Sequence, residues 1–187
     1  MSTHLPSLRV VQRLALTSNR YDVLEVDGTG APGALLATAR QKRMALKERV
    51  TFFTDETESQ EAFSLRARQR SDLGATYDIT DADGTPLASL RKNFARSLLR
   101  STFHLETVDG VEAVGVERHL AVALLRRFGE LPLPISFDFR TTSGELALTS
   151  MRSMGVRDTY AVTVPAPSID WRVAAAVATG LDALMSR

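Results

Sequence analysis

The 187-residue chain has no cysteine. Disulfide staples and thiolate metal sites are thereby excluded, and a reducing compartment is compatible with the composition. Histidine is scarce too. His4, His104 and His119 show neither an HExxH pattern nor another metal-ligand spacing. There is no G-x-S-x-G elbow and no Walker A loop. No stretch reaches the ~18–20 uninterrupted apolar residues that span a bilayer, so no transmembrane segment is predicted. The opening MSTHLPSLRVVQRLAL lacks an apolar core followed by a cleavage site, and a cytoplasmic protein is expected. The formal charge of +1 gives no global pull toward nucleic acid. No cofactor and no metal is expected.

What the chain does have is a repeat. YDVLEVDG (Tyr21 to Gly28), YDITDADG (Tyr77 to Gly84) and FDFRTTSG (Phe137 to Gly144) each set an aromatic-Asp pair seven residues before a glycine, and FHLETVDG (Phe103 to Gly110) is a looser copy. Arginine-ended segments follow: LATAR at Arg40, LASLR at Arg91, VGVER at Arg118 and LTSMR at Arg152. Apolar and polar residues alternate on both sides of an Asp-Gly, which reads as strand, tight turn and strand, with the glycine taking positive φ. The copies are unevenly spaced, whereas a solenoid needs a constant period, so hairpins around one closed sheet fit better. Leu8–Leu16, Val50–Thr54, Ala62–Arg68, Leu120–Arg126 and Asp158–Val164 are further strand candidates, the fourth equally readable as helix.

The end of the chain departs from this pattern. Asp170 is a plausible N-cap for a helix from about Trp171 to Met185, within a terminal segment of about 170–185. Arg172, Thr179, Asp182 and Ser186 form one narrow polar stripe, and the rest is apolar and rich in alanine. A helix apolar nearly all round must be buried, and about 15 residues at 1.5 Å each fall short of a bilayer. The expected fold is mainly β: an antiparallel β-barrel of about twelve strands, residues 1–187 forming a single domain, wrapped around this hydrophobic helix.

Two motifs invite ligands and are better read as turns. Gly28-Thr-Gly30-Ala-Pro-Gly33 matches G-x-G-x-x-G with Asp55 downstream, but its strand carries Asp22, Glu25 and Asp27, and no β-α-β series follows. Asp81-x-Asp83-Gly84 hints at a calcium loop, yet Ile79 and Leu90 stand where acids are required. The run Asp55-Glu-Thr-Glu58-x-x-Glu61 reads as a solvated loop.

The charge feature of most interest is Arg91-Lys92-Asn-Phe94-Ala-Arg96-Ser-Leu98-Leu99-Arg100, ten residues without an acid. In a helix, Lys92, Arg96 and Arg100 would share one face. A second cluster, Lys42, Arg43 and Lys47, follows Arg40. A basic amphipathic turn suits anionic phospholipid headgroups; the plainer account has Phe94 and Leu98 plug the barrel end while the cations are solvated or pair with Glu56, Glu58 or Glu61. No nucleic-acid module accompanies the charges.

The segments DITDADGTPLASLRKNFARSLLRSTFHLE, ERHLAVALLRRF…PISFDF and IDWRVAAAVATGLDALMSR resemble the LURP-one-related and phospholipid-scramblase-like proteins of the tubby C-terminal superfamily, the actinobacterial branch above all. The resemblance runs from about Tyr21 to Met185. It implies a twelve-stranded barrel around a central helix, and relatives that bind phosphoinositides or move lipids. The scramblases' cysteine-rich segment has no counterpart here. The expected activity is non-enzymatic, with Arg91, Lys92, Arg96, Arg100, Lys42, Arg43 and Lys47 binding anionic phospholipid or a protein partner at a membrane surface. A small-ligand or enzymatic pocket near His104 or His119, and a soluble protein-docking scaffold, stay open as alternatives.

Overall fold

The computed structural model describes residues 3–13, 19–41, 49–71, 74–93, 101–118, 135–153 and 157–185. Twelve strands run in chain order: β1 (Ser7–Arg13), β2 (Asn19–Val26), β3 (Pro32–Gln41), β4 (Arg49–Phe53), β5 (Glu61–Ser71), β6 (Gly74–Asp81), β7 (Pro86–Asn93), β8 (Thr102–Thr107), β9 (Glu112–Glu117), β10 (Ser136–Thr141), β11 (Leu146–Ser153) and β12 (Thr159–Thr163). Helix α1 spans Trp171–Met185. Each strand pairs antiparallel with its chain neighbours, and β1 pairs with β12 to close a barrel. The strand candidate Leu120–Arg126 lies outside the described residues.

The period-2 pattern of the sequence becomes the two faces of the wall. Tyr21 and Val23, Phe63 and Leu65, Tyr77 and Ile79, Phe103 and Leu105, and Phe137 and Phe139 point inward and are buried. The helix is the complement of that bulky lining. Ala174, Ala175, Ala176, Val177 and Ala178 are wholly buried, so a narrow rod of small side chains meets a wall of large ones. Gly180 sits where a Cβ would come within 2.8 Å of Leu65 Cδ2. Phe52 stacks on Phe63 at 4.1 Å between ring centroids, and Trp171 meets Phe63 edge-on at 5.5 Å.

Asp170 caps the helix as expected, its carboxylate accepting the Arg172 N–H at 2.8 Å. Arg172 also donates to Asp81 at 2.6 Å, which fastens the helix start to the β6–β7 turn. The helix therefore begins at the end of the barrel that carries the tight hairpin turns. It finishes at the opposite end, from which β1, β3, β5, β7, β9 and β11 lead into their next connections.

Four of the tight turns share one geometry. In the β6–β7 turn, Asp81 N–H bonds the Thr85 carbonyl at 2.8 Å and Gly84 N–H bonds the Asp81 carbonyl at 3.0 Å. The β2–β3, β8–β9 and β10–β11 turns repeat both bonds, with Gly30, Gly110 and Gly144 in the place of Gly84, and the four glycines have φ between 81° and 87°. These are three-residue loops ending in a left-handed glycine, and they introduce a bulge into the hairpin. In the first copy the sequence assigns positive φ to Gly28, and the structure moves it to Gly30. The Asp27 carboxylate accepts from Thr29 N–H, the Thr29 hydroxyl and Ala31 N–H. The G-x-G-x-x-G stretch is thus a turn folded on its own acid.

Candidate anion-binding surface

The aromatic-Asp repeat divides across the wall. Its ring goes into the core and its aspartate goes outside, where an arginine in the preceding strand, or just past its end, takes it. Arg13 holds Asp22 at 2.5 Å, Arg68 holds Asp78 through Nε at 2.9 Å, and Arg118 holds Asp138 at 2.5 Å. In each case the arginine stands two residues beyond the one directly facing the aspartate: Val11 faces Asp22, Arg66 faces Asp78, and Val116 faces Asp138. The clamps hold all three guanidinium pKa values above the ordinary range, chiefly through these hydrogen bonds.

The fourth copy breaks the rule. His104 replaces the aspartate, Arg91 faces it directly, and Asn93 stands two residues beyond. Arg91 is exposed on the outer wall, and among the described residues no carboxylate lies within ion-pair distance of it. Arg66, also exposed, lies on the same outer wall two strands away and likewise has no carboxylate partner there. Together with the clamped Arg68 they form a patch of three arginines over β5 to β7, with Asp78 inside it and Glu106 of β8 beside Arg68.

Arg91 and Lys92 face opposite sides of the wall, because β7 continues through Asn93 and adjacent strand residues alternate. The helical reading of this stretch therefore fails at its first residues. Lys92 faces inward at the barrel end, half-buried, its ammonium 5.9 Å from the centroid of the buried Phe103 ring. The remaining members of the set, Arg96, Arg100, Lys42, Arg43 and Lys47, lie outside the described residues. Their segments follow Asn93 and Gln41, and both strands terminate at the same end of the barrel. The suggested pairing of these cations with Glu56, Glu58 and Glu61 is not seen among the described residues. Those acids are taken by Arg13, by Arg20 and Arg40, and by Arg49.

Arg152 was grouped in the sequence with Arg40 and Arg91, and the structure separates it. Tyr21 faces Ala39, Tyr77 faces Leu90, and Phe137 faces Ser150, so the equivalents of Arg40 and Arg91 end at Met151. Arg152 comes one residue later and turns inward, at the position of Gln41 and Lys92. There it pairs with Asp158 and lies 3.6 Å from Asp182 on the helix. Asp182 is buried and accepts a 2.6 Å hydrogen bond from the Tyr21 hydroxyl. The buried Tyr160 hydroxyl makes no hydrogen bond of ordinary geometry among the described residues, but it is close enough to Asp182 for that charge, after burial itself, to raise its pKa. This polar cluster seals the helix end. Nothing in the sequence alone distinguished Asp182 from the solvated side of a stripe.

Among the described residues the lumen is closely packed around the helix. Beside Asp182, Tyr160 and Phe137 a void of about 10 Å³ remains, room for about one water and for no organic ligand. A larger concavity, about 420 Å³, lies on the outer wall between Arg68, Thr80, Ser89 and Val108, with Asp78 and Glu106 in its lining. His104 faces outward on β8 and does not line it, and His119 lies outside the described residues. Among the described residues no helix is long and apolar enough to cross a membrane.

The LURP-one-related family model matches residues 35–182. No curated relative matches the chain.

Proposed function

The chain belongs to the LURP-one-related family, and from that premise we propose that it is a non-enzymatic barrel that docks on anionic phospholipid headgroups. Arg91 carries the reading: it is the repeat position at which an arginine is left exposed with no acid opposite. The close packing of the lumen among the described residues favours the outer wall and the barrel end for recognition. The two basic segments leave from that same end, so Arg96, Arg100, Lys42, Arg43 and Lys47 add their charge to that of Arg91. Lys92, turned toward Phe103, supports the wall instead.

The magnitudes suit a peripheral, reversible contact. At about 1 kcal/mol per cation near an anionic leaflet, Arg91 alone gives a negligible affinity, and Arg91 with the five cations of the two basic segments gives about 6 kcal/mol. That places binding between the millimolar and micromolar ranges and makes it sensitive to salt.

Vesicle flotation tests it. The native chain is expected to float with vesicles containing phosphatidylserine or a phosphoinositide, to stay behind with pure phosphatidylcholine, and to be released by salt. Changing Arg91, Arg96 and Arg100 to Ala together is expected to weaken binding by roughly 100-fold, at about 1 kcal/mol each. Equal recovery with neutral vesicles, or no loss in the triple variant, overturns the proposal. Capture of a protein from the native host with no vesicle binding would favour the docking scaffold.

A further inference from the structure

A second group of arginines lies elsewhere on the wall, and it is not empty. Arg13 directly faces Arg20 across β1 and β2, and Arg20 directly faces Arg40 across β2 and β3. Three guanidinium groups thus stand in one row of the outer face, each 41–52% exposed. Like charges directly opposite one another destabilise a sheet unless a counter-charge joins them.

The chain supplies that counter-charge from the loop between β4 and β5. Glu58 spans two of the arginines, one carboxylate oxygen 2.8 Å from Arg40 and the other 3.4 Å from Arg20. Glu56 reaches Arg13 at 2.8 Å, alongside Asp22. One carboxylate bridging two guanidinium groups is the arrangement that a phosphate also adopts, and arginine forks suit both.

The loop is shaped to deliver Glu58. The Asp55 carboxylate accepts from Thr57 N–H at 2.7 Å, from the Thr57 hydroxyl, and from the Ser59 hydroxyl at 2.8 Å. The Thr38 hydroxyl bonds the Asp55 carbonyl at 2.9 Å, pinning the loop to β3. Among the described residues Glu58 alone, apart from glycine, has positive φ, at 55°. Its side chain is only 14% exposed although it sits on a surface loop. A glutamate held in the left-handed region and covered by arginines occupies their site as a ligand would.

We propose that Arg13, Arg20 and Arg40 form a binding site for a phosphate-bearing anion, and that Glu58, helped by Glu56, is its built-in occupant. The β4–β5 loop is then a plug that an incoming phosphate displaces. A phosphate brings more charge and a third oxygen, so it engages Arg13 along with the pair that Glu58 bridges. The site lies on β1 to β3, away from the Arg91 patch, and does not depend on the membrane reading.

The test compares the native chain, Glu58→Gln and Thr57→Ala. The first variant keeps the shape of the plug and removes its charge. The second keeps every charge at the arginines and loosens the loop. Binding of inorganic phosphate is read by NMR shifts of β1–β3 amides against chloride at equal ionic strength. The expected result is at least a tenfold gain in phosphate affinity for Glu58→Gln and a several-fold gain for Thr57→Ala. Adding Arg20→Gln and Arg40→Gln should abolish both gains. A parallel arm offers phosphoinositide vesicles: a gain confined to vesicles identifies a lipid headgroup as the source, and a gain with both probes identifies the phosphate itself. If neither variant gains in either arm, or if the gain survives loss of Arg20 and Arg40, the loop is a structural staple and the proposal is overturned. Should Glu58→Gln fail to fold, Thr57→Ala decides alone. The Arg91 triple variant is expected to keep this response, which separates the site from the membrane proposal.

Discussion

The Tyr21 hydroxyl donates a 2.6 Å hydrogen bond to Asp182, joining the second strand to the last turn of the central helix. A carboxylate there is opposed by the negative end of the helix dipole and by burial. Tyr21 and Arg152 hold it. Tyr21→Phe is expected to lower stability by about 1–3 kcal/mol, because a buried acceptor loses its donor. Asp182→Ala should cost more, yet less than the roughly 3–5 kcal/mol of a broken buried pair, since Arg152 keeps Asp158. Urea unfolding of both single variants and the double variant measures the coupling between them.

Tyr160 makes stability depend on alkaline pH. Burial first, and the Asp182 charge next, raise its pKa above the ordinary 10.0. The unfolded chain therefore gives up this proton at a lower pH than the folded one. The contribution is complete below that value and is lost as pH rises through and beyond it. Thermal melts over about pH 9–11 should show a steep fall for the native chain and a shallower one for Tyr160→Phe. Parallel slopes would refute the assignment.

The turns yield a contrast within one hairpin. Gly30 has φ 84°, whereas Gly28 is not among the positive-φ glycines, and a Cβ at either position meets nothing within 4 Å. Gly30→Ala should cost about 1–2 kcal/mol through backbone strain alone. Gly28→Ala should stay within about 0.5 kcal/mol. Chemical denaturation of the pair shows which glycine bears the turn.

Gly115 is required for space. A Cβ there would lie 2.4 Å from Phe139 Cε1, inside the ring's own volume. Gly115→Ala should destabilise by about 1–3 kcal/mol, the usual range for overpacking. Combining it with Phe139→Leu should give back part of that loss, which a double-mutant cycle would record as coupling.

The hairpins were legible in the sequence because alternation and Asp-Gly are local signals. The helix was legible because a nearly all-apolar segment has few places to go. What the sequence hid depends on register between strands. Arg13, Arg68 and Arg118 meet their aspartates diagonally across a strand pair, so their spacing of 9, 10 and 20 residues shows no common motif. LTSMR starts one residue further beyond its glycine than LASLR does, while the strand register is the same, so Arg152 turns into the barrel where Arg91 turns out. Only in a helix would Lys92 share a face with Arg96, and strand alternation in β7 sends it to the other side of the wall from Arg91. The facing of Arg13, Arg20 and Arg40 joins three strands, and no window of the sequence contains it.

The order of elements along the chain has a consequence for synthesis. A ribosome releases eleven strands before the one that closes the circle, and the rod that fills the circle emerges after all of them. Until then Phe52, Phe63, Phe103 and Phe137 have no alanine-rich partner to pack against. At about 5–20 residues per second, the nascent wall waits several seconds with its apolar lining exposed. Stalled chains that end before Trp171 should consequently be good chaperone clients, and adding the last fifteen residues of the helix should release them.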